Sequence, residues 1–277
     1  MSVATRFLAV LFASAMLLGC GAGQATSAQM TTTRSVDPAA LAATIEQAQT
    51  VIDDSSAAGA RLQKAAYAQQ LAFLDLARRR RGRGVVLAQL SPAARSAATE
   101  ALRAGDALAR IVPRERRFPH WRIGAPPPPR RLLTYFRAAA AAHRIPWRYL
   151  AAIELVETRM GRIHGLSPAG ARGPMQFMPA TWAEYGHGSI DGQRDSIMAA
   201  ARFLVANGGR RNIGRALFHY NPSQSYVFAV ESYASELQRD PRAFYGYYNW
   251  QVLYRTTEGL FLLPVGYPRA RPVRLPS

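Results

Sequence analysis

The chain has 277 residues, 49% of them hydrophobic and 19% charged, so it carries enough apolar material for a core, and wholesale disorder is excluded. Its formal net charge is +18, carried almost wholly by arginines because Lys64 is the one lysine, and this excess predicts an anionic partner. Cys20 is the one cysteine, which excludes an internal disulfide framework and a cysteine-based metal site.

Residues 1–20 predict a signal peptide. Arg6 precedes an apolar run over residues 7–18, which is too short for a membrane-spanning helix of about 20 residues. The run ends in LLGC, which resembles the bacterial lipoprotein signal and implies lipidation of Cys20. We therefore expect export to the cell envelope, with a lipid anchor in the outer face of the cytoplasmic membrane or in the outer membrane. The arginine clusters would then contact anionic lipids or wall polymers, and nucleic acid is not expected as a partner.

The first half of the exported chain predicts a tether, a helical region and a linker. Residues 21–36 are small and polar without periodicity, which indicates a flexible tether. Residues 37–117 carry three alanine-rich helical patterns with narrow apolar stripes, which we interpret as a small bundle or helical hairpin without a site. Two of the patterns begin with a capping residue and a proline, at Asp37-Pro38 and Ser91-Pro92. Prolines and arginines over residues 118–131 predict an extended linker.

The second half predicts a compact helical domain with a small β extension. Residues 132–241 contain short helical patterns joined by short loops, which is typical of an α-domain. Residues 242–267 are rich in aromatics and change to a period of two, which predicts a β-hairpin packed on that domain. Residues 268–277 have no core-forming pattern and are predicted to be disordered. The fold class predicted for the whole chain is mainly α.

One carboxylate stands on an apolar helix face. Leu150, Ile153 and Glu157 are spaced three and four apart, so they share that face, and Glu157 is expected at the wall of the core. Removal from water raises the pKa of a glutamate carboxyl above its ordinary value of about 4.3, and a protonated carboxyl can act as an acid catalyst. The alternative is a Glu157 that reaches solvent and pairs with Arg159 or Arg162. The helix pattern alone leaves both interpretations open.

Four ordered blocks between residues 132 and 239 carry a family resemblance. The blocks are LAAIELVETRMGRIHG, GARGPMQFMPATWAEYG, DSIMAAARFLVANGG and ALFHYNPSQSYVFAVESYA. Together they resemble the lytic transglycosylases that cleave bacterial peptidoglycan, of the soluble type, with the VET segment also similar to the membrane-bound B type. The resemblance implies a lysozyme-like α-helical catalytic domain, preceded here by the small helical bundle and followed by the short hairpin.

The resemblance also implies the residues of the site. Glu157 would be the single catalytic acid and base, and Thr158 stands where the family has Ser or Thr. Five residues would contact the substrate, namely Thr158, Met175, Gln176, Tyr220 and Asn221. No cofactor and no metal are expected, and we expect a monomer whose partner is the glycan strand of peptidoglycan.

The implied reaction cleaves the β-1,4 bond between N-acetylmuramic acid and N-acetylglucosamine, and it forms 1,6-anhydromuramic acid during cell-wall remodelling. One alternative is a hydrolytic muramidase, which needs a second carboxylate, for which Glu184 is a candidate. Another is a non-catalytic peptidoglycan-binding envelope lipoprotein. Glu154, one turn before the proposed acid, is expected to be a solvated residue, and Asp195 is expected to be a helix N-cap.

Overall fold

The computed structural model describes residues 37–112 and 115–276, so the predicted signal peptide, the tether and Cys20 lie outside the described residues. The described ranges contain eleven α-helices and five short strands, and the predicted mainly α fold class is confirmed. Within those ranges no helix is both long enough and apolar enough to span a membrane.

The first four helices begin largely where the sequence predicts. The side chain of Asp37 accepts a hydrogen bond of 3.1 Å from the main chain of Ala39, and the hydroxyl of Ser91 accepts one of 3.3 Å from Ala94. Such caps satisfy main-chain N–H groups that have no partner inside a helix. The helices are α1 Pro38–Asp53, α2 Gly59–Arg78, α3 Arg83–Ala88 and α4 Pro92–Leu108.

Seven further helices follow residue 128. They are α5 Pro129–His143, α6 Trp147–Thr158, α7 Pro179–Tyr185, α8 Gln193–Ala206, α9 Ile213–Tyr220, α10 Gln224–Arg239 and α11 Ala243–Asn249. The expectation for Asp195 was wrong, because the N-cap of α8 is Gly192. Asp195 lies in the first turn, where its carboxylate accepts a hydrogen bond of 3.0 Å from the main chain of Ser189.

The strands form two small antiparallel sheets. The pair of β1 Arg122–Ile123 and β2 Ile163–His164 sets Arg122 opposite His164. The hairpin of β3 Val252–Thr256 and β4 Gly259–Leu263 lies where the sequence predicts one, and β5 Val273–Arg274 extends it.

Two segments, one predicted as an extended linker and one predicted as disordered, take part in the fold. The predicted linker over 118–131 contains β1, and Trp121 and Ile123 are buried. In the predicted disordered tail, β5 pairs with β4, and the main chain of Leu275 donates to the oxygen of Leu260 at 2.9 Å. Both predictions were wrong because strand pairing satisfies main-chain groups without any side-chain pattern.

The helices before and after the predicted linker share one core. The alanine-rich α4 packs along α10, and the same buried cluster extends from Leu41 in α1 to Leu260 in β4. The hydroxyl of Ser96 in α4 donates a hydrogen bond of 3.1 Å to the carboxylate of Glu236 in α10. The expectation of a separate N-terminal bundle is therefore corrected: small side chains on α4 let two helix backbones approach closely and join the two halves of the core.

Candidate active site

The helix that carries Glu157 runs through the interior of the protein. Every residue of α6 from Leu150 to Thr158 is buried, so this helix has no solvated face. It ends abruptly, because Arg159, Met160 and Gly161 all adopt positive φ angles of 54°, 60° and 77°. The main chain of Met160 closes the turn with a hydrogen bond of 3.2 Å to the oxygen of Glu154. Glu157 therefore lies in the last turn of a buried helix.

The environment of Glu157 favours its neutral form. Its side chain is 5% exposed and lies beside the hydroxyl of Tyr226, which is fully buried. Burial raises the pKa of Glu157 to about 8, and the neighbouring Tyr226 offsets part of that rise. The predicted burial is confirmed. The alternative is not supported, because Arg159 lies over the ring of Trp250 and Arg162 donates to the main-chain oxygen of Tyr248 at 2.9 Å.

Two tyrosines border this carboxyl. The rings of Tyr220 and Tyr226 stack in parallel with their centroids 6.4 Å apart. Burial, together with the charge of Glu157, raises the pKa of both hydroxyls well above the usual value, so both remain protonated donors. The hydroxyl of Tyr220 donates to the main-chain oxygen of Met175 at 2.6 Å. Tyr226 is a site residue that could not be identified from the sequence, because no motif distinguishes a packing tyrosine from one that faces an acid.

Gln176 is held in an unusual main-chain conformation in the loop that Tyr220 contacts. Its φ is +49°, and its side-chain amide donates to the main-chain oxygen of Gly173 at 3.0 Å. Gln176 and Tyr220 both line a cavity of about 80 Å³ between the loop that precedes α7 and the end of α9. The structure thus places Tyr220 near Glu157 and beside Gln176, whereas Glu157 is not among the residues that line this cavity.

Two predicted substrate contacts are corrected, Thr158 and Met175. Thr158 is fully buried, and its hydroxyl donates to the oxygen of Pro174 at 2.5 Å and accepts from the main chain of Gly161 at 3.1 Å. The Met175 side chain is also fully buried, and only its main chain touches the site through Tyr220. Asn221, at the C-cap of α9, is 4% exposed, close to the 5% of Glu157, and its role as a substrate contact stays a prediction. Thr158 and Met175 support the loop of the site from the packed interior, because their side chains are fully buried.

Glu154 was expected in solvent but is completely buried. It follows Leu150 by four residues on a helix without a polar face, and one of its oxygens accepts a hydrogen bond from the side chain of Gln193. A Cβ at Gly161 would lie 2.8 Å from Gln193, so the glycine leaves room for that side chain. Burial raises the pKa of Glu154 well above its usual value, which favours a neutral carboxyl here too.

Other groups are not arranged around Glu157. Glu184, the second carboxylate considered for hydrolysis, is exposed on α7. Among the described residues, no cluster of three or more His, Cys, Asp or Glu side chains could hold a metal ion.

The arrangement can deliver one proton. A neutral carboxyl ends a buried helix beside the hydroxyl of Tyr226, and Tyr220, which stacks on Tyr226, lines a cavity together with the amide of Gln176. Such a carboxyl can protonate an oxygen of a bound ligand and then accept a proton as a carboxylate. No protein-family model, curated protein or solved structure matches the chain.

Proposed function

We propose that this chain is a murein lytic transglycosylase. It would cleave the β-1,4 bond between N-acetylmuramic acid and N-acetylglucosamine and leave a 1,6-anhydromuramic acid end, with a role in cell-wall remodelling. The observation that best supports the proposal is the buried Glu157, whose pKa of about 8 keeps it protonated at neutral pH in the segment that resembles the family's acid. The fold of this half of the chain would be lysozyme-like.

The first step needs an acid. Glu157 would donate its proton to the glycosidic oxygen as the bond from that oxygen to C1 of the muramic acid breaks, which releases an N-acetylglucosamine hydroxyl. Positive charge develops on the C1 centre, as in other glycosidase transition states. The Tyr226 hydroxyl lies beside the carboxylate that Glu157 has now become, and a donor at that place stabilises the ionised form.

The second step returns the proton. The 6-hydroxyl of the same muramic acid attacks C1, and the Glu157 carboxylate takes the hydroxyl proton, so that the enzyme regains its starting state and no water is consumed. An attacking group already held within the substrate removes an intermolecular encounter from this step. One carboxyl therefore suffices, and Glu184, which is exposed on α7, has no part in the proposed reaction.

Gln176 and Tyr220 would position the sugar. Both line the small cavity, and both are themselves held by hydrogen bonds to the main chain of the loop over residues 173–176. Thr158 fastens the same loop to the end of α6 through Pro174. Side chains fixed in this way can orient a substrate without first becoming ordered.

The decisive experiment is mass spectrometry of the products formed when residues 21–277 are incubated with purified peptidoglycan. We expect muropeptides one water lighter than hydrolytic products, and no products from Glu157→Gln. Glu184→Gln is the matched control and should retain activity. Products with a reducing end that require Glu184 would instead indicate a muramidase. Binding without any product would indicate a peptidoglycan-binding protein without turnover.

We also propose that the protein is anchored to the envelope by lipid on Cys20 and that its arginines contact anionic lipids or wall polymers. The support is the sequence signal, since Cys20 lies outside the described residues, together with a net charge of +18. Metabolic labelling with a radioactive fatty acid should mark the wild-type protein and leave Cys20→Ser unlabelled. Labelling of both forms would contradict lipidation at this residue.

A further inference from the structure

Two neighbouring cavities lie along the two-stranded sheet of β1 and β2, which we call the ribbon. The first, of about 300 Å³, lies next to the loop over residues 173–176, and the second, of about 470 Å³, lies against Tyr267 and Pro268. They share two lining residues, Arg122 and His164. We call the two cavities together the basic groove. Their volumes lie in the range of ligand sites in proteins.

Gln176 relates the basic groove to the small cavity of the candidate active site. Gln176 lines the small cavity, and its side-chain amide donates to the main-chain oxygens of Gly173 and Gly165, at 3.0 and 3.5 Å, on the wall of the groove. Pro174, another lining residue, is hydrogen-bonded to Thr158, the neighbour of Glu157 in the chain. A ligand that extends from Gln176 would therefore enter the groove.

The groove carries uncompensated positive charge. Its lining residues include Arg122, Arg172 and Arg269, and among these lining residues Asp191 is the only carboxylate. Asp191 is already paired with Arg172. Neither Arg122 nor Arg269 forms a salt bridge with any residue in the described ranges. Partial burial and the nearby Arg122 lower the pKa of His164, which keeps its imidazole neutral and able to donate or accept a hydrogen bond.

The main chain fixes the shape of this groove. Arg122 and His164 are opposite each other in the ribbon, and the oxygen of Ile123 accepts a hydrogen bond of 2.8 Å from Gly266. A Cβ at Gly124 would lie 2.8 Å from Nε2 of His164, so the glycine allows that ring to pack against the ribbon. The two lining side chains are thus placed by paired strands and not by a loose loop.

We propose that the basic groove is a subsite for the carboxylates of the peptide stems carried by muramic acid. This inference rests on the proposed function, because a glycan held at Gln176 would present its neighbouring stem at the groove. Arginine is the residue best suited to carboxylates, since its planar guanidinium can donate two parallel hydrogen bonds to one carboxylate group. Arg122 and Arg269 would contact the stem, and His164 would add a neutral hydrogen bond.

The test compares two soluble tetrasaccharides of alternating N-acetylglucosamine and N-acetylmuramic acid, one with tetrapeptide stems and one without. Calorimetric titration uses the full exported chain with Glu157→Gln, so that the ligand stays intact. We expect stems to tighten binding by about tenfold or more, which is the range of a charge-assisted pair. Adding Arg122→Gln or Arg269→Gln should remove most of that gain and leave the affinity for the stem-free sugar unchanged. Arg137→Gln, an exposed residue of α5, is the control for net charge.

The outcomes separate this inference from the proposed function. Equal affinity for both sugars, or an equal loss with Arg137→Gln, would overturn the subsite. If neither sugar binds, the proposed function fails, and the free tetrapeptide is then titrated alone. Binding of the free peptide that Arg122→Gln abolishes would support a carboxylate site independent of the glycan, and absence of binding would overturn it. Thermal unfolding of each variant checks that it is folded.

Discussion

The hydroxyl of Tyr220 donates a hydrogen bond of 2.6 Å to the main-chain oxygen of Met175 and so joins the end of α9 to the loop that carries Gln176. The ring of the same tyrosine stacks on Tyr226, the residue beside Glu157. Tyr220 therefore connects the amide that lines the cavity with the surroundings of the acid, and the mutual arrangement of the site depends on it.

Replacing Tyr220 with phenylalanine should remove this connection and keep the stacked ring. A main-chain oxygen would lose its donor, which costs about 1–3 kcal/mol when the oxygen is buried. We expect a comparable fall in the free energy of unfolding, measured with urea, and a slower release of muropeptides. Tyr245→Phe in α11 is the control. Unchanged stability and rate in Tyr220→Phe would show that the hydrogen bond is not needed for the loop.

The rate of cleavage should depend on the protonation of Glu157. Its pKa is raised to about 8 by burial, so the acid form prevails below that value and is lost as the pH rises through it. We expect kcat/KM to be level near neutral pH and to fall about tenfold per pH unit above 8, since only the protonated enzyme can donate. The measurement is muropeptide release between pH 6 and 10. A rate that increases through pH 8 would contradict Glu157 as the acid.

Glu154→Gln should make the protein more stable in alkali. The pKa of Glu154 is raised in the folded state, so the folded protein holds a proton that the unfolded chain releases above its ordinary pKa. The free energy of unfolding then falls as the pH rises between the two values, by about 1.4 kcal/mol per unit for one such group. Glutamine has no proton to lose and can still bond to Gln193.

The measurement for Glu154→Gln is thermal unfolding of the variant and the wild type at pH 5, 7 and 9. We expect the difference between their midpoints to grow in favour of the variant as the pH rises. Glu258→Gln changes an exposed carboxylate and is the control. Equal midpoint differences at all three pH values would contradict a buried neutral Glu154.

A fragment limited to residues 129–276 should not fold by itself. It would expose the face of α10 that α4 covers and would leave Glu236 without the hydroxyl of Ser96. We expect a disordered far-ultraviolet circular dichroism spectrum from this fragment and a helical, cooperatively unfolding one from residues 37–276. In the longer protein, Ala101→Leu should reduce the free energy of unfolding by about 1–3 kcal/mol, because Ala101 is fully buried in α4. A cooperatively folded fragment would contradict the shared core.

The part of the site that follows from local spacing could be predicted from the sequence. Leu150, Ile153 and Glu157 share a helix face whatever the surroundings, so the burial of the acid was foreseeable. The capped starts at Asp37 and Ser91 depend only on neighbouring residues and were predicted for the same reason.

What depends on contacts distant in sequence could not be predicted. The hydrogen-bond partner of the buried Glu154 is Gln193, thirty-nine positions later in the chain. The spacing of residues in α6 does not predict that partner. The proximity of Tyr226 to Glu157 likewise arises from the packing of α10 on α6. The predicted linker is not a domain boundary. Its prolines determine only the local main-chain conformation, whereas α4 and α10, on either side of it, pack together in one core.

The small C-terminal sheet also bears on how copies of this protein behave when they are concentrated. In the order β3-β4-β5, the outer strand β5 has only two residues and stands between Pro272 and Pro276, neither of which can donate a main-chain hydrogen bond to a second molecule. At the opposite margin, Thr256 of β3 is bridged by Glu115. The short β5 and the bridged end of β3 thus offer few free main-chain groups to an added strand, which disfavours self-association through this sheet.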